Sequence, residues 1–182
     1  MSETVAGATP ALNVTIATPD DMAELGARLA AQLRAGDLVT LNGELGAGKT
    51  TLTRGLGEAL GVRGAVTSPT FVLARTHPRE DGDGAPLVHV DAYRLSTAAE
   101  LDDLDIDFAG SIVVVEWGAG LLAGITETWL SLDIVRPTGA RVTSGDDDDA
   151  LDVDDLVEPR EITITGHGDR WKDLGWVGAF SN

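Results

Sequence analysis

The chain has 182 residues, of which 43% are hydrophobic, and this predicts one domain over residues 1–182 with a sizeable core. We predict no membrane span, because no apolar run is long enough to cross a bilayer. The formal net charge of −17 argues against unaided binding of RNA or DNA, because nucleic-acid phosphates are held chiefly by Lys and Arg. The absence of cysteine excludes disulfides and cysteine-ligated metals and is consistent with a cytoplasmic location.

The first predicted elements are a short strand and an amphipathic helix. Apolar residues alternate with polar ones over residues 12–16, which is typical of a half-buried strand. Thr18 has the chemistry of a helix N-cap and is followed by proline and two acidic residues. The apolar spacing from Met22 to Leu33 then predicts a helix that ends at Gly36.

The next segment fits the phosphate-loop pattern G-x-x-x-x-G-K-[ST] at every fixed position; it reads Gly43-Glu44-Leu45-Gly46-Ala47-Gly48-Lys49-Thr50. A buried strand over residues 38–41 enters it, and a helix to about Leu60 leaves it. Glycines let backbone N–H groups surround a phosphate, Lys49 adds positive charge, and the Thr50 hydroxyl can ligate Mg²⁺. This pattern predicts binding of a nucleoside triphosphate, with contacts from Gly43, Leu45, Gly46, Ala47, Gly48, Lys49, Thr50 and Thr51.

Two later predicted strands end in an acidic residue. The strand at 112–115 is followed by Glu116, and the strand at 87–90 is followed by Asp91. In a phosphate-loop protein such a carboxylate holds Mg²⁺ or positions water, and this favours a functional role for Glu116 over an ordinary strand-terminal acid. For Asp91 both interpretations stay open. For His89, which lies in the alternating strand, the interpretation as a hydrogen-bonded, half-buried structural histidine is sufficient.

Two further segments have alternative interpretations from the residues alone. The run Thr67-Ser68-Pro69-Thr70-Phe71 is either a switch-like segment, in which Ser68 and Thr70 sense a γ-phosphate or Mg²⁺, or a proline turn before a strand at 70–74. Trp117 either stacks on a base or a partner, or belongs to the core.

The rest of the chain predicts strands at 129–135 and 161–165, and either a hairpin connection or an exposed loop at 77–86. Eight acidic residues and one basic residue lie between Thr138 and Pro159, so this segment alone accounts for −7 of the charge. We predict a disordered surface loop at 145–155 without a catalytic part, because like charges repel and stay solvated. A Ca²⁺ site is disfavoured, since the glycine and glutamate spacing of an EF-hand loop is missing.

Missing motifs narrow the class of nucleotide-binding protein. No N-K-x-D motif supports guanine recognition, and no L-S-G-G-Q signature supports a transport ATPase. A small-molecule kinase would need an arginine-rich lid, whereas the late arginines are scattered at Arg136, Arg141, Arg160 and Arg170.

Taken together, four segments resemble the TsaE (YjeE) family, the small ATPases of bacterial tRNA threonylcarbamoyladenosine synthesis. They are the phosphate loop through Gly55, Ser68-Pro69-Thr70-Phe71, His89-Val90-Asp91-Ala92-Tyr93-Arg94-Leu95 and Val115-Glu116-Trp117. The resemblance covers about residues 14–134. It implies an α/β, P-loop NTPase-like three-layer fold with a mixed parallel/antiparallel sheet. It further implies ATP and Mg²⁺ as cofactors, slow hydrolysis, TsaD and TsaB as partners, and tRNA reached only through them.

The resemblance also implies a role for each matching residue. Lys49 would contact phosphates, Thr50 and Glu116 would ligate Mg²⁺, and Asp91 would support hydrolysis, so Lys49, Asp91 and Glu116 form the expected catalytic set. Looser nucleotide contacts are implied at Thr18 and Arg141. Two alternatives remain, a small-molecule P-loop kinase and a non-enzymatic clamp that holds its partners when ATP is bound.

Overall fold

The computed structural model describes residues 9–67, 73–136 and 159–180. The strands within these ranges are β1 (Ala11–Ile16), β2 (Leu38–Asn42), β3 (Ala74–His77), β4 (Leu87–Asp91), β5 (Ile112–Glu116), β6 (Trp129–Val135) and β7 (Arg160–His167). The helices are α1 (Pro19–Ala30), α2 (Lys49–Leu60) and α3 (Ala98–Asp102), and short 3₁₀ turns lie at Leu122–Gly124, Asp169–Trp171 and Gly175–Val177. None of the helices in these ranges is long and apolar enough to cross a bilayer.

All seven strands belong to one sheet with the order β1-β7-β6-β2-β5-β4-β3. The four central strands β6, β2, β5 and β4 are parallel, while β7 and β1 on one side and β3 on the other run antiparallel to their neighbours. The predicted mixed sheet is therefore confirmed. Because the central strands are parallel, the phosphate loop after β2 lies at the same edge as the ends of β4 and β5.

Helices cover both faces of the sheet, which confirms the predicted three layers. On one face, α1 and α2 pack against Val39, Leu41 and Val114. On the other face, α3 and the Leu122–Gly124 turn pack against residues such as Val113. The predicted alternation of β6 and β7 is also confirmed, since the apolar residues Leu130, Leu132, Ile134, Ile162 and Ile164 all join the core beneath α1 and α2.

Two glycines allow α1 and α2 to cross closely. A Cβ on Gly26 would lie 2.3 Å from the Leu52 carbonyl oxygen, and a Cβ on Gly55 would lie 2.4 Å from the Ala23 carbonyl oxygen. Neither contact is possible between real atoms, so larger residues would push the helices apart. The close crossing holds α1 against the helix that begins at Lys49.

The predicted start of α1 is confirmed and its predicted end is wrong. The Thr18 hydroxyl caps the helix by accepting a hydrogen bond from the Asp21 N–H at 3.1 Å. The helix ends at Ala30 rather than at Gly36, because the Gln32 and Leu33 N–H groups donate to carbonyls three residues back instead of four. The chain then turns where the Asp37 carboxylate accepts the Arg34 N–H at 2.9 Å. Leu33 is nevertheless buried, and this extended the apolar spacing past the true end.

The edge strand β3 also differs from the prediction. It spans Ala74–His77 and overlaps the predicted strand at 70–74 only at Ala74, while residues 70–72 lie outside the described residues. Arg75 and Thr76 are exposed on this edge strand, so it lacks the apolar alternation on which a sequence prediction depends. The acidic segment at 145–155 lies outside the described residues as well.

Candidate functional site

The phosphate loop connects β2 to α2, as the sequence predicts. Gly48 lies immediately before the helix with φ = 110°, a conformation that L side chains rarely adopt. A Cβ on Gly43 would approach the Ile134 carbonyl oxygen to 2.8 Å. The glycines of the motif are therefore required by the local backbone here, in addition to their expected role of leaving room for a phosphate.

Lys49 is buried over the loop and is held by its backbone. Its Nζ donates hydrogen bonds to the carbonyl oxygens of Gly43 at 2.6 Å and Glu44 at 3.0 Å. Burial lowers the pKa of Lys49 from its ordinary value, while the charges of Glu116 and Asp91 act in the opposite direction and raise it. The ammonium group thus lies between the loop backbone and two carboxylates.

The two predicted acids face each other across the carboxyl ends of neighbouring strands. Asp91 of β4 pairs in register with Glu116 of β5, and their residues are 7% and 4% exposed. The Asp91 Oδ1 accepts the Tyr93 N–H at 3.0 Å. The Glu116 Oε1 is buried and has no hydrogen-bond partner within the described residues. The site therefore contains one carboxylate that is fixed by the backbone and one that has bonding capacity left.

The expectation of a half-buried, hydrogen-bonded His89 is wrong on both points. His89 is 0% exposed, and neither ring nitrogen has a hydrogen-bond partner in the part of the chain that the structure describes. The reason for its burial is that β4 is an interior strand, paired with β3 on one side and β5 on the other. Its Nε2 lies 3.5 Å from the Glu116 Oε1.

Trp117 lies in the site and not in the core. Its ring is half-buried, lies 4.2 Å from the Lys49 Nζ in cation–π geometry, and meets the exposed Tyr93 edge-on with ring centroids 5.6 Å apart. Its backbone has φ = 61°, which is uncommon for a bulky residue. This turn directs the ring back toward the phosphate loop.

A cleft of about 460 Å³ lies beside the phosphate loop. It is bounded by the loop, by the turn after β5 and by the end of β6, and its lining includes Asn42, Gly43, Trp117, Ala119, Asp133 and Arg136. The Asn42 Nδ2 donates to the Asp133 Oδ1 at 2.9 Å, which ties the ends of β2 and β6 together at this wall. The volume is within the range of small-molecule binding sites.

Arg160 has a role at the phosphate loop that its sequence context does not indicate. This residue begins β7, and its Nε and Nη2 donate to the carbonyl oxygens of Ala47 at 3.1 Å and Gly46 at 3.3 Å. Arg136 lines the cleft on the other side of the loop. Two arginines that are scattered in the sequence thus converge on the phosphate loop. No local signal could reveal this, because it follows from the antiparallel pairing of β6 with β7.

The remaining predicted site residues fall in three groups. Thr50 and Thr51 are half-buried in the first turn of α2, next to Lys49. Leu45 is 92% exposed at the tip of the phosphate loop, and Thr18 is exposed at the N-cap of α1. Ser68, Thr70 and Arg141 lie outside the described residues, so their expected roles stay predictions.

Comparison with known proteins gives consistent matches over most of the chain. Residues 16–143 match the family model described as "Threonylcarbamoyl adenosine biosynthesis protein TsaE". The chain is 59% identical over 153 residues to the tRNA threonylcarbamoyladenosine biosynthesis protein TsaE of Streptomyces coelicolor, covering 82% of this chain and 93% of that protein. The corresponding Bacillus subtilis protein is 35% identical over 158 residues, covering 86% of each. The crystal structure of Bacillus subtilis YdiB superposes with a TM-score of 0.63 at 30% identity, covering 90% of both chains.

Proposed function

The chain belongs to the TsaE family, and from this premise we propose that it is a Mg²⁺-dependent ATPase that supports tRNA N6-threonylcarbamoyladenosine modification. The names of the relatives support the pathway. The observation that supports ATP hydrolysis is the phosphate loop beside two buried acids, Asp91 and Glu116, at the carboxyl edge of the parallel strands.

The phosphate loop and the neighbouring cleft both support nucleotide binding. The loop backbone and the N-terminus of α2 offer N–H groups and a positive dipole end to the phosphates. A phosphate in the loop would take over the Lys49 ammonium from the Gly43 and Glu44 carbonyls. The neighbouring cleft is large enough for the nucleoside.

The residues present fit a magnesium ion that binds together with the nucleotide. No group of three His, Asp or Glu residues in the described ranges forms a metal site by itself. Mg²⁺ in nucleotide sites needs only one or two protein oxygens besides phosphates and water. Thr50, at the start of α2, and Glu116, a buried carboxylate at the end of β5, would hold it. When bound there, Mg²⁺ would neutralise charge on the β- and γ-phosphates.

The chain's own groups would divide the rest of the work. Lys49 would stabilise charge on the γ-phosphate, with the Trp117 ring shielding its ammonium on one side. Asp91, fixed by the Tyr93 N–H, would accept a hydrogen bond from the attacking water and so orient it. Arg160 would keep the loop in shape through the Gly46 and Ala47 carbonyls.

The proposal includes TsaD and TsaB as partners and a cytoplasmic location. Among the described residues, three large hydrophobic side chains are conspicuously exposed around the site: Leu45 at 92%, Tyr93 at 71% and Val135 at 55%. Such exposure at the mouth of a site supports contact with another protein. The net charge of −17 supports access to tRNA only through those partners.

The test is reconstituted tRNA modification with purified TsaD and TsaB, with this protein present or omitted. We expect modified tRNA to depend on this chain and on ATP, and a non-hydrolysable ATP analogue to fail. Equal modification with the analogue would instead favour the ATP-gated clamp. Stoichiometric phosphorylation of a metabolite would favour the kinase and contradict the proposal.

A further inference from the structure

We propose that His89 is the positioning residue for Glu116, and that its Nε2–H holds one carboxylate oxygen so that the other is directed to the metal. This proposal rests on the proposed function, because it concerns how Glu116 is prepared to bind Mg²⁺. It assigns His89 no contact with the nucleotide or with the metal.

The register of the sheet brings the two side chains to the same face. His89 lies opposite Val114 in the parallel pairing of β4 with β5, and Asp91 lies opposite Glu116. Alternate residues of a strand share a face, so His89 and Glu116 are diagonal neighbours on the side covered by α2. The His89 Nε2 and the Glu116 Oε1 are 3.5 Å apart, and the two side chains are 0% and 5% exposed.

Both facing atoms lack other hydrogen bonds. Neither the His89 Nε2 nor the Glu116 Oε1 has a hydrogen-bond partner within the described residues. Buried polar atoms are nearly always paired in folded proteins, and a donor and an acceptor that face each other are the natural pair. Shortening the gap from 3.5 Å to the usual hydrogen-bond length of about 3 Å needs only a small side-chain rotation.

The other charged groups near Glu116 have different partners. The Lys49 Nζ donates to two carbonyls of the phosphate loop, and the Asp91 carboxylate accepts the Tyr93 N–H. Within the described residues, His89 is therefore the side chain that faces the buried oxygen of Glu116. A neutral imidazole with its proton on Nε2 supplies a single directed donor, which fixes one oxygen and leaves the other open.

This arrangement predicts a specific effect on metal affinity. Groups that hydrogen-bond to a metal ligand typically change affinity for the metal by about 10- to 100-fold when they are removed. A histidine that only fills space would change the stability of the protein and would leave its magnesium requirement unaltered. The magnesium requirement therefore separates the two roles.

The experiment compares His89→Leu and His89→Gln with the wild-type full chain. Binding of the non-hydrolysable analogue β,γ-imido-ATP is measured by calorimetry over a series of Mg²⁺ concentrations and in EDTA, so that the readout does not depend on turnover. For His89→Leu we expect the half-saturating Mg²⁺ concentration to rise about tenfold. The affinity of His89→Leu for the analogue in EDTA should stay within about twofold of the wild-type affinity. His89→Gln should recover most of the loss, because its terminal amide restores a donor near the position of Nε2.

The matched control is His77→Leu. His77, in β3, is also buried on this face and pairs with Leu87 of β4, but it is farther from the carboxyl edge of the sheet. It should keep the wild-type magnesium requirement. If His89→Leu does not fold, His89→Asn replaces it, because the shorter amide does not reach the position of Nε2.

The outcomes separate this proposal from the proposed function. If the wild type binds the analogue with a Mg²⁺ dependence and the His89 variants share that dependence within about twofold, the positioning role is wrong and the ATPase proposal stands. If the wild type shows no Mg²⁺-dependent binding, both are wrong. If His89→Leu weakens Mg²⁺-dependent binding in the wild-type chain but has no further effect in a chain that carries Glu116→Ala, His89 acts through Glu116.

Discussion

Two buried carboxylates, one at the amino ends and one at the carboxyl ends of the parallel strands, have different surroundings. Asp37, just before β2, is 6% exposed, and Glu116, at the end of β5, is 4% exposed. The Asp37 carboxylate accepts the Arg34 N–H at 2.9 Å and two hydrogen bonds from the Arg170 guanidinium, at 3.0 and 3.2 Å. The Glu116 Oε1 has no hydrogen bond within the described residues and faces His89 at 3.5 Å.

This difference supports a structural role for Asp37 and, under the proposed function, a ligand-binding role for Glu116. A buried charge is costly unless it is paired and hydrogen-bonded, and Asp37 meets that condition through Arg34 in the turn after α1 and Arg170 in the C-terminal segment. Glu116 retains unused bonding capacity beside the phosphate loop. Such capacity is expected where a ligand completes the pairing.

The largest effect is expected at Lys49. Lys49→Ala removes the ammonium group above the loop and should lower ATP turnover by on the order of a hundredfold or more, with a loss of nucleotide affinity. Calorimetry with ATP and a phosphate-release assay measure the two effects. Arg54→Ala on the exposed side of α2 is the control and should behave as wild type. Wild-type ATP binding by Lys49→Ala would contradict the assignment of the loop.

Glu116→Gln should reduce hydrolysis by a similar order of magnitude and retain nucleotide binding in EDTA. The amide keeps the size of the side chain and removes the charge that the metal requires. Initial rates at a series of Mg²⁺ concentrations measure the effect, with Glu58→Gln on the surface of α2 as the matched control. Normal turnover in Glu116→Gln would show that the metal ligand lies elsewhere.

At the other edge, Arg170→Met should reduce stability without reducing activity. It leaves the Asp37 carboxylate buried without its cationic partner, which should lower the free energy of unfolding by about 1–3 kcal/mol. Urea denaturation measures this change. Lys172→Met removes an exposed ion pair with Asp169 and should cause no measurable loss. If Arg170→Met lost turnover per folded molecule, the separation of the two edges would be wrong.

A smaller effect is expected from the pH dependence of stability. Burial lowers the pKa of His77, and nearby His89 and Arg75 lower it further. The unfolded chain therefore binds a proton more readily than the folded one. The free energy of unfolding should fall as the pH drops through the ordinary value of 6.5 and should level off below the lowered pKa.

Urea denaturation at several pH values between about 5 and 8 tests this sign. The variant His77→Gln should show a shallower dependence than the wild type, because it removes one of the groups that take up a proton on unfolding. An unchanged slope in the variant would show that His77 does not contribute.

The parts of the site that depend on local sequence were predictable. The phosphate loop follows from glycine spacing between a strand and a helix, and the Thr18 cap follows from residue type. The acids at the ends of β4 and β5 were found because an apolar run followed by a carboxylate is a local pattern. Parallel pairing then determines that Asp91 and Glu116 meet.

The parts that depend on distant residues were not predictable. Arg160 reaches the phosphate loop across 113 positions in sequence, through the pairing of β7 with β6. The burial of His89 follows from the position of β4 inside the sheet, which its own sequence does not specify. The turn after the early end of α1 includes a hydrogen bond to Asp37, whose carboxylate Arg170 also holds.

Phosphate release from ATP by the purified full chain, in Mg²⁺ and in EDTA, decides whether this protein is a Mg²⁺-dependent ATPase. The measurement is made with the protein alone and again with TsaD and TsaB. We expect slow release in Mg²⁺, none above background in EDTA, and faster release when the partners are present. Release that is unaffected by EDTA, or no release in Mg²⁺ even with both partners, would contradict it.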